Sequence, residues 1–245
     1  MKVLAIESSG MVAAVAIASE EKLIGEFLLD HRKTHSQQLM PLIEQLLNNL
    51  DMELGDMDLL AVSEGPGSFT GLRIGISTVK GLAQALNKEV IGIPSLDGLA
   101  YNLAFRDGLI CPIIDARREQ VYTSIYRWNS LHKDGDGQGS LERIDDYMAI
   151  PLRELIQKLK QYNENMIFNG DGVPVYWNIL KEELGDRAYR APINLLMQRA
   201  SSIASLALTR SEEIRTKEVK TKGYIELLPF YLRKSQAEQK FATKD

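Results

Sequence analysis

One feature narrows the fold more than any other: the chain repeats itself. Leu4-Ala5-Ile6-Glu7 is an apolar run ending in a carboxylate, and 108 residues on Pro112-Ile113-Ile114-Asp115 is another. Val62-Ser63-Glu64-Gly65 matches Phe168-Asn169-Gly170-Asp171-Gly172 at a shift of about 107, each an apolar stretch entering an acidic, glycine-containing loop. A duplicated unit of this size predicts two similar lobes rather than one continuous sheet.

Residues 3–6, 12–18 and 23–29 are short aliphatic runs separated by Ser-Ser-Gly and Ser-Glu-Glu turn signals, and they predict an antiparallel meander. Leu39, Leu42, Ile43, Leu46, Leu47 and Leu50 then follow the period of an amphipathic helix. Thr34 and Gln37 fit a capping box at its start, while Pro41 removes a hydrogen bond and predicts a regular helix from near Gln38, or a kink there. A strand at 59–63, a loop at 65–70, a helix at 71–86, a strand at 90–93 and a helix at 95–105 complete the first unit. The second reads as strands at 109–114 and 121–128, a helix opened by Pro151, a strand at 166–168, and helices at 175–184 and 195–208. KDGDGQGS at 133–140 reads as a polar loop.

This order is α/β, and by analogy it is the plan of the duplicated actin-like (ASKHA, RNase H-like) two-lobed fold, in which ATP sits between the lobes. The expected division is a first lobe at 1–104 joined by a returning helix at 193–210, a second lobe at 105–192, and a basic tail at 211–245 packed on the first lobe.

With 245 residues, 44% of them hydrophobic, the chain buries a real core, which excludes a disordered tail protein. A net charge of −4 argues against a nucleic-acid binder over its whole surface. The tail is different, because residues 210–245 carry nine Lys/Arg against six Asp/Glu. Lys217, Lys220, Lys222, Arg233 and Lys234 are candidate RNA contacts, while Phe230, Tyr231 and Leu232 predict a strap pinned to the first lobe. A lone Cys111 excludes an intramolecular disulfide and predicts a cytosolic protein. No apolar run reaches the eighteen or so residues of a membrane span.

The most informative segment is Glu64 to Gly75, EGPGSFTGLRIG, between a predicted strand and a helix. That position favours a phosphate cradle, since backbone N–H groups and a helix N-terminus attract anions. The spacing is neither a Walker A loop nor the dinucleotide fingerprint. The competing reading is a tight turn at Gly65-Pro66-Gly67, with Gly71 and Gly75 allowing close packing. His31 and His35 are four residues apart, but Thr34 marks a helix start between them, so they do not read as a metal pair; His132 lies beside the polar loop. Glu7 and Asp115, ending the repeated strands, are candidates to face each other across a cleft, as carboxylates that hold Mg²⁺ or work as acid and base do. Arg117 and Arg118 beside them are candidate phosphate contacts.

The glycine-rich run, together with VLAIESS at 3–9, THSQQLMP at 34–41, IPSLDGLA at 93–100, DARREQVY at 115–122 and PFYLR at 229–233, resembles the TsaB (YeaZ) family over essentially the whole chain. Its motif residues here are His35, Ser36, Gly65, Pro66, Gly67, Ser68, Phe69, Thr70 and Arg73. The resemblance implies a non-catalytic cytoplasmic subunit that binds TsaD and supports formation of threonylcarbamoyladenosine (t6A) at position 37 of tRNA. It implies no cofactor of the chain's own, with ATP/ADP and metal in the partner subunits, a TsaE ATPase in the assembly, and a homodimer when TsaD is absent. The metal-binding His-x-x-x-His of TsaD is replaced here by Ser95 and Leu99, and Glu7 and Asp115 become relics of a nucleotide site. Gln38, Leu42, Gly71, Ile74, Gly75 and Thr78 are the expected partner surface, two helices from each subunit forming a four-helix bundle. The alternatives are a stand-alone ATPase or kinase of the same fold, and a peptidase, for which no GxSxG elbow exists.

Overall fold

The structure is a computed structural model that describes residues 1–30, 34–129, 139–216 and 223–233. His31, His132, Lys217, Lys220, Lys222, Lys234 and most of the 133–140 loop lie outside them.

The meander forms as β1 (Lys2–Glu7), β2 (Ala13–Ser19) and β3 (Leu23–Leu29), antiparallel to one another. After α1 (His35–Asn49), β4 (Leu59–Gly65) joins β1 in parallel; after α2 (Phe69–Leu86), β5 (Glu89–Pro94) joins β4. The order is β3-β2-β1-β4-β5. Side chains alternate along β1. Leu4 and Ile6 pack with Leu39, Ile43, Ile76 and Val79 of α1 and α2, and Val3 and Ala5 face the other way.

α1 begins at His35, not at Gln38. Thr34 and Gln37 make the capping box, and Pro41 sits inside the helix on its exposed side.

From α3 (Ser95–Tyr101) the chain enters the second lobe: β6 (Leu109–Asp115), β7 (Gln120–Thr123), β8 (Tyr126–Asn129), β9 (Ser140–Arg143), β10 (Met148–Pro151), α4 (Leu152–Leu159), β11 (Met166–Asn169), α5 (Gly172–Leu184) and β12 (Ala188–Arg190). The main path β10-β7-β6-β11-β12 reproduces the first sheet position for position, so the repeat read from two short matches is a repeat of topology. The fold is the duplicated α/β plan expected.

The single strand expected at 121–128 is two. β7 pairs with β6 at Ile113–Asp115 and β8 pairs with it at Leu109–Ile110. Pro112 lies between, with no N–H to offer the ladder, and the Thr123 hydroxyl donates to its carbonyl at 2.8 Å. The single helix expected at 195–208 is also two, α6 (Ile193–Leu196) and α7 (Ala200–Thr216). Ile203, Ala204 and Ala207 of α7 cover the Val3 and Ala5 face of the first sheet, so both faces of that sheet are buried. Glu26 of β3 accepts from the Ser201 N–H at 2.9 Å and pairs with Arg199, a carboxylate at the positive end of α7. α3 departs from the expected bounds of 1–104: Leu96, Leu99 and Ala100 belong to the second core.

The strap forms, and it crosses both lobes rather than one. Leu227 is buried in the first core, the Phe230 N–H donates to the Glu64 carbonyl at 2.6 Å, and Tyr231 stacks on Phe69 at 4.1 Å. Arg73 Nε donates to the Tyr231 hydroxyl at 3.0 Å. Phe230 meets Tyr147 edge to face, Leu232 packs on the second core, and Arg233 donates to the Ala116 carbonyl at 3.2 Å.

Tyr231→Ala is therefore expected to cost about 1–2 kcal/mol in chemical denaturation, and Tyr231→Phe, which keeps the stack, less than half of that.

Candidate functional site at the lobe junction

Where β1 ends, the chain turns through Ser8, Ser9 and Gly10 directly beneath the glycine-rich loop. The Ser68 N–H donates to the Ser9 carbonyl at 2.7 Å, and the Ser8 hydroxyl donates to the Gly71 carbonyl at 3.0 Å. A Cβ on Gly67 would lie 2.3 Å from the Ser9 carbonyl oxygen, one on Gly71 2.0 Å from that of Ser8, and one on Gly75 2.2 Å from Ser8 Oγ. These glycines exist so that a turn and a helix can touch. Of the two readings of this segment, the contacts support close packing: the Ser8-Ser9 turn lies against Gly67, Gly71 and Gly75, and Ser68 caps α2 by accepting from the Gly71 N–H at 3.3 Å.

The expected partner surface is corrected by the same contact. Gly71 and Gly75 face inward, and Gln38 and Leu42 are buried as well, while Ile74 and Thr78 are half-buried. The outward stripe of α2 runs through Ile74, Thr78, Gly81 and Ala85, and on α1 Met40 and Pro41 are exposed. Of the other motif residues, Ser36, Ser68, Thr70 and Arg73 are exposed, Gly65 and Pro66 are buried, and Phe69 lies under the strap.

His35 contacts the Gly10 carbonyl through Nε2 at 3.0 Å, tying the start of α1 to the turn. Gln198, between α6 and α7, lies over Gly10, where a Cβ would come within 2.4 Å of its Nε2. Sequence reasoning missed Gln198, because the apolar run there reads as an unbroken helix.

Glu7 is 1% exposed. Its Oε1 accepts from the Ser9 N–H at 2.6 Å and from the Ser63 hydroxyl at 3.0 Å. Burial outweighs these bonds and pushes its pKa up to about 7. Asp115 does not face it as a partner. Oδ1 of Asp115 accepts from the Tyr176 hydroxyl and the Arg117 N–H, both at 2.9 Å, and Oδ2 pairs with the Arg117 guanidinium at 3.3 Å. The second-lobe carboxylate whose charge reaches Glu7 is Asp171, itself raised by burial to about 6. Asp171 accepts from the Asp115 N–H at 2.9 Å, and the Gln198 amide eases its charge at a geometry short of a hydrogen bond.

Ser95 and Leu99 are fully buried, and Leu99 belongs to the second core. Among the described residues no three His, Cys, Asp or Glu side chains come together as a metal site. The unforeseen residue of this segment is Asp97, which accepts from the hydroxyls of Tyr126 at 2.8 Å and Tyr147 at 2.7 Å and from Arg210 at 2.6 Å, joining α3 and the second lobe to α7. A lone carboxylate inside an apolar helix was the available signal.

The family model for TsaD, tRNA N6-adenosine threonylcarbamoyltransferase, matches residues 29–241. The tRNA threonylcarbamoyladenosine biosynthesis protein TsaB of Bacillus subtilis (strain 168) is 32% identical over 241 residues, 98% of either chain. Among solved structures, a protein from Pseudomonas aeruginosa described as uncharacterized, with similarity to peptidase YEAZ, is 26% identical with a TM-score of 0.73, over 95% of this chain and 99% of that one. An activator of 2-hydroxyisocaproyl-CoA dehydratase from Clostridium difficile, with bound ADPNP, shares the fold at a TM-score of 0.51 and 10% identity, over 91% of this chain and 100% of that one.

Gly71→Ala should force the turn away from α2 and destabilise the chain by about 1–3 kcal/mol in urea melts, whereas Gly81→Ala, with nothing within 4 Å of the new Cβ, should stabilise it slightly. Glu7 also sets a pH dependence. Its carboxyl binds a proton in the folded chain up to about pH 7 but, with an ordinary value of 4.5, releases it earlier when unfolded. Stability from this group is present at low pH and falls as pH rises from about 4.5 through about 7, since the folded state binds more protons there. Glu7→Gln is expected to remove that decline, a difference of about 3 kcal/mol between the two proteins above pH 7. Stability curves that stay parallel across this range would show that Glu7 does not hold the proton.

Proposed function

We infer the function from one premise: the chain belongs to the TsaB (YeaZ) family. It is a tRNA threonylcarbamoyladenosine biosynthesis protein. We propose that it acts in the cytoplasm as a helper subunit that binds TsaD, and leaves threonylcarbamoyl transfer to that partner. The observation that supports this most is the filling of the junction by the chain's own groups. Ser8, Ser9 and Gln198 occupy the space beside the glycine loop, Glu7 is sealed beneath them, and Leu99 is core where the resemblance implies that TsaD carries a histidine ligand. None of these groups is open to a substrate.

The outer stripe of α1 and α2 is the docking surface this reading favours. Ile74, Thr78, Gly81 and Ala85 offer small, partly apolar side chains to a second pair of helices, and a homodimer would use the same stripe when TsaD is absent. A TsaE ATPase joins the assembly, and ATP/ADP and metal belong to those subunits.

Given tRNA and an activated threonylcarbamoyl donor, the purified chain should form no t6A by itself, while adding it to TsaD and TsaE should raise t6A, measured as the nucleoside by mass spectrometry. Glu7→Gln should support t6A formation within about twofold of wild type, where loss of a catalytic acid or base costs about 100-fold or more. Gly81→Arg, placed in open space, should fold and yet weaken both TsaD binding and self-association more than tenfold. Robust t6A formation by the isolated chain, or full association of Gly81→Arg, would contradict the helper reading or its docking surface respectively.

A further inference from the structure

The turn between β6 and β7 is built in an unfavourable way. Arg117, Arg118 and Glu119 have φ values of 65°, 55° and 55°, three successive side-chain-bearing residues in the left-handed region. Single residues visit that region at a cost, and Gly or Asn does so most cheaply. Two antiparallel strands can be joined by Asn-Gly without strain. The strained turn is instead held at several points. The Arg117 N–H donates to Asp115 Oδ1 at 2.9 Å and the Gln120 N–H to the Arg117 carbonyl at 3.1 Å. The Leu152 N–H holds the Glu119 carbonyl at 2.9 Å, and Arg233, from the strap, holds that of Ala116 at 3.2 Å.

The result is that two arginines are pushed outward and a third is brought beside them. The Arg117 side chain is 76% exposed although Asp115 fixes one end of its guanidinium, and Arg118 is exposed with no ion-pair partner among the described residues. Arg233 arrives from the far end of the chain. Facing them are Asp115, which is committed to Arg117 and Tyr176, and the exposed Glu119, with Asp171 buried behind. Strained backbone held by several anchors clusters at ligand sites and switch regions, and here it carries charged groups outward.

We propose that Arg117, Arg118 and Arg233 form a rim that takes phosphate groups of RNA. This deepens the reading of the chain as a tRNA-modification subunit and rests on it. Guanidinium forks suit phosphate oxygens, and a tRNA-modification subunit meets phosphate as an RNA backbone.

The test uses the complex of this chain with TsaD, titrated against tRNA by fluorescence anisotropy at several salt concentrations. Arg118→Asn suits the left-handed backbone, so the thermal midpoint should not fall, yet affinity should drop several-fold. The double variant Arg118→Asn/Arg233→Gln should bind about tenfold more weakly and lower the salt slope by about 1–2, one phosphate contact being lost with each cation. Unchanged affinity and slope in a complex that assembles normally would overturn the rim. Lost assembly with TsaD or TsaE instead would also overturn it, by making the rim a protein contact. Size-exclusion of the wild-type chain with TsaD tests the family reading separately. Salt-dependent tRNA binding by the isolated chain should show the same loss in the double variant whether or not TsaD joins.

Discussion

The contact between the Ser8-Ser9 turn and the glycines of α2 is the constraint on which the rest depends. Backbone oxygen sits where side chains would stand at Gly67 and Gly71, so the first strand of the sheet and the helix that follows the fourth are held closer than ordinary residues permit. That approach sets the seat of α2, and through Phe69 and Arg73 it sets the seat of the C-terminal strap. It also uses the helix N-terminus for internal bonding, since the Ser68 N–H is committed to Ser9. A motif that in isolation invites an anion has become a joint.

The second consequence is electrostatic. Closing the joint buries Glu7, and that burial holds the carboxyl protonated over much of the range in which an exposed glutamate would be charged. Asp171 shares that state, while two other buried carboxylates are matched: Asp97 has two hydroxyls and Arg210, and Glu26 has Arg199 and the Ser201 N–H. The lobes are therefore tied at three places, at the Asp97 cluster, at Gln198 over Gly10, and along the strap. A junction tied in this manner is filled by the chain's own groups. Among the described residues no helix is long and apolar enough to cross a membrane.

Much of the fold was legible because it rests on local patterns. The 3.6-residue stripe and capping box located α1, and the carboxylate-ending strands revealed the duplication. What failed had physical reasons. Pro112 breaks a ladder from the partner strand, so nothing within 121–128 announces two strands. β12 is three residues long, below the length at which alternation is visible. The break between α6 and α7 lies in a run whose apolar spacing continues across it. The site was half legible: the sequence singles out Glu7 and the glycine loop, which the structure brings together at the Ser8-Ser9 turn, but small residues at four-residue spacing read alike whether a helix meets another molecule or its own chain. Only the position of Ser8 decides between them, and that depends on contacts 60 or so residues apart.

The central claim, that the junction is a closed internal joint and the chain works through its outer helices, is tested most directly by amide hydrogen exchange on the purified protein. Saturating Mg²⁺-ATP should leave exchange at residues 7–10 and 64–75 unchanged, while added TsaD should slow it across the exposed stripes of α1 and α2. Strong protection of residues 7–10 and 64–75 by nucleotide, with no effect of TsaD on α1 and α2, would contradict the account.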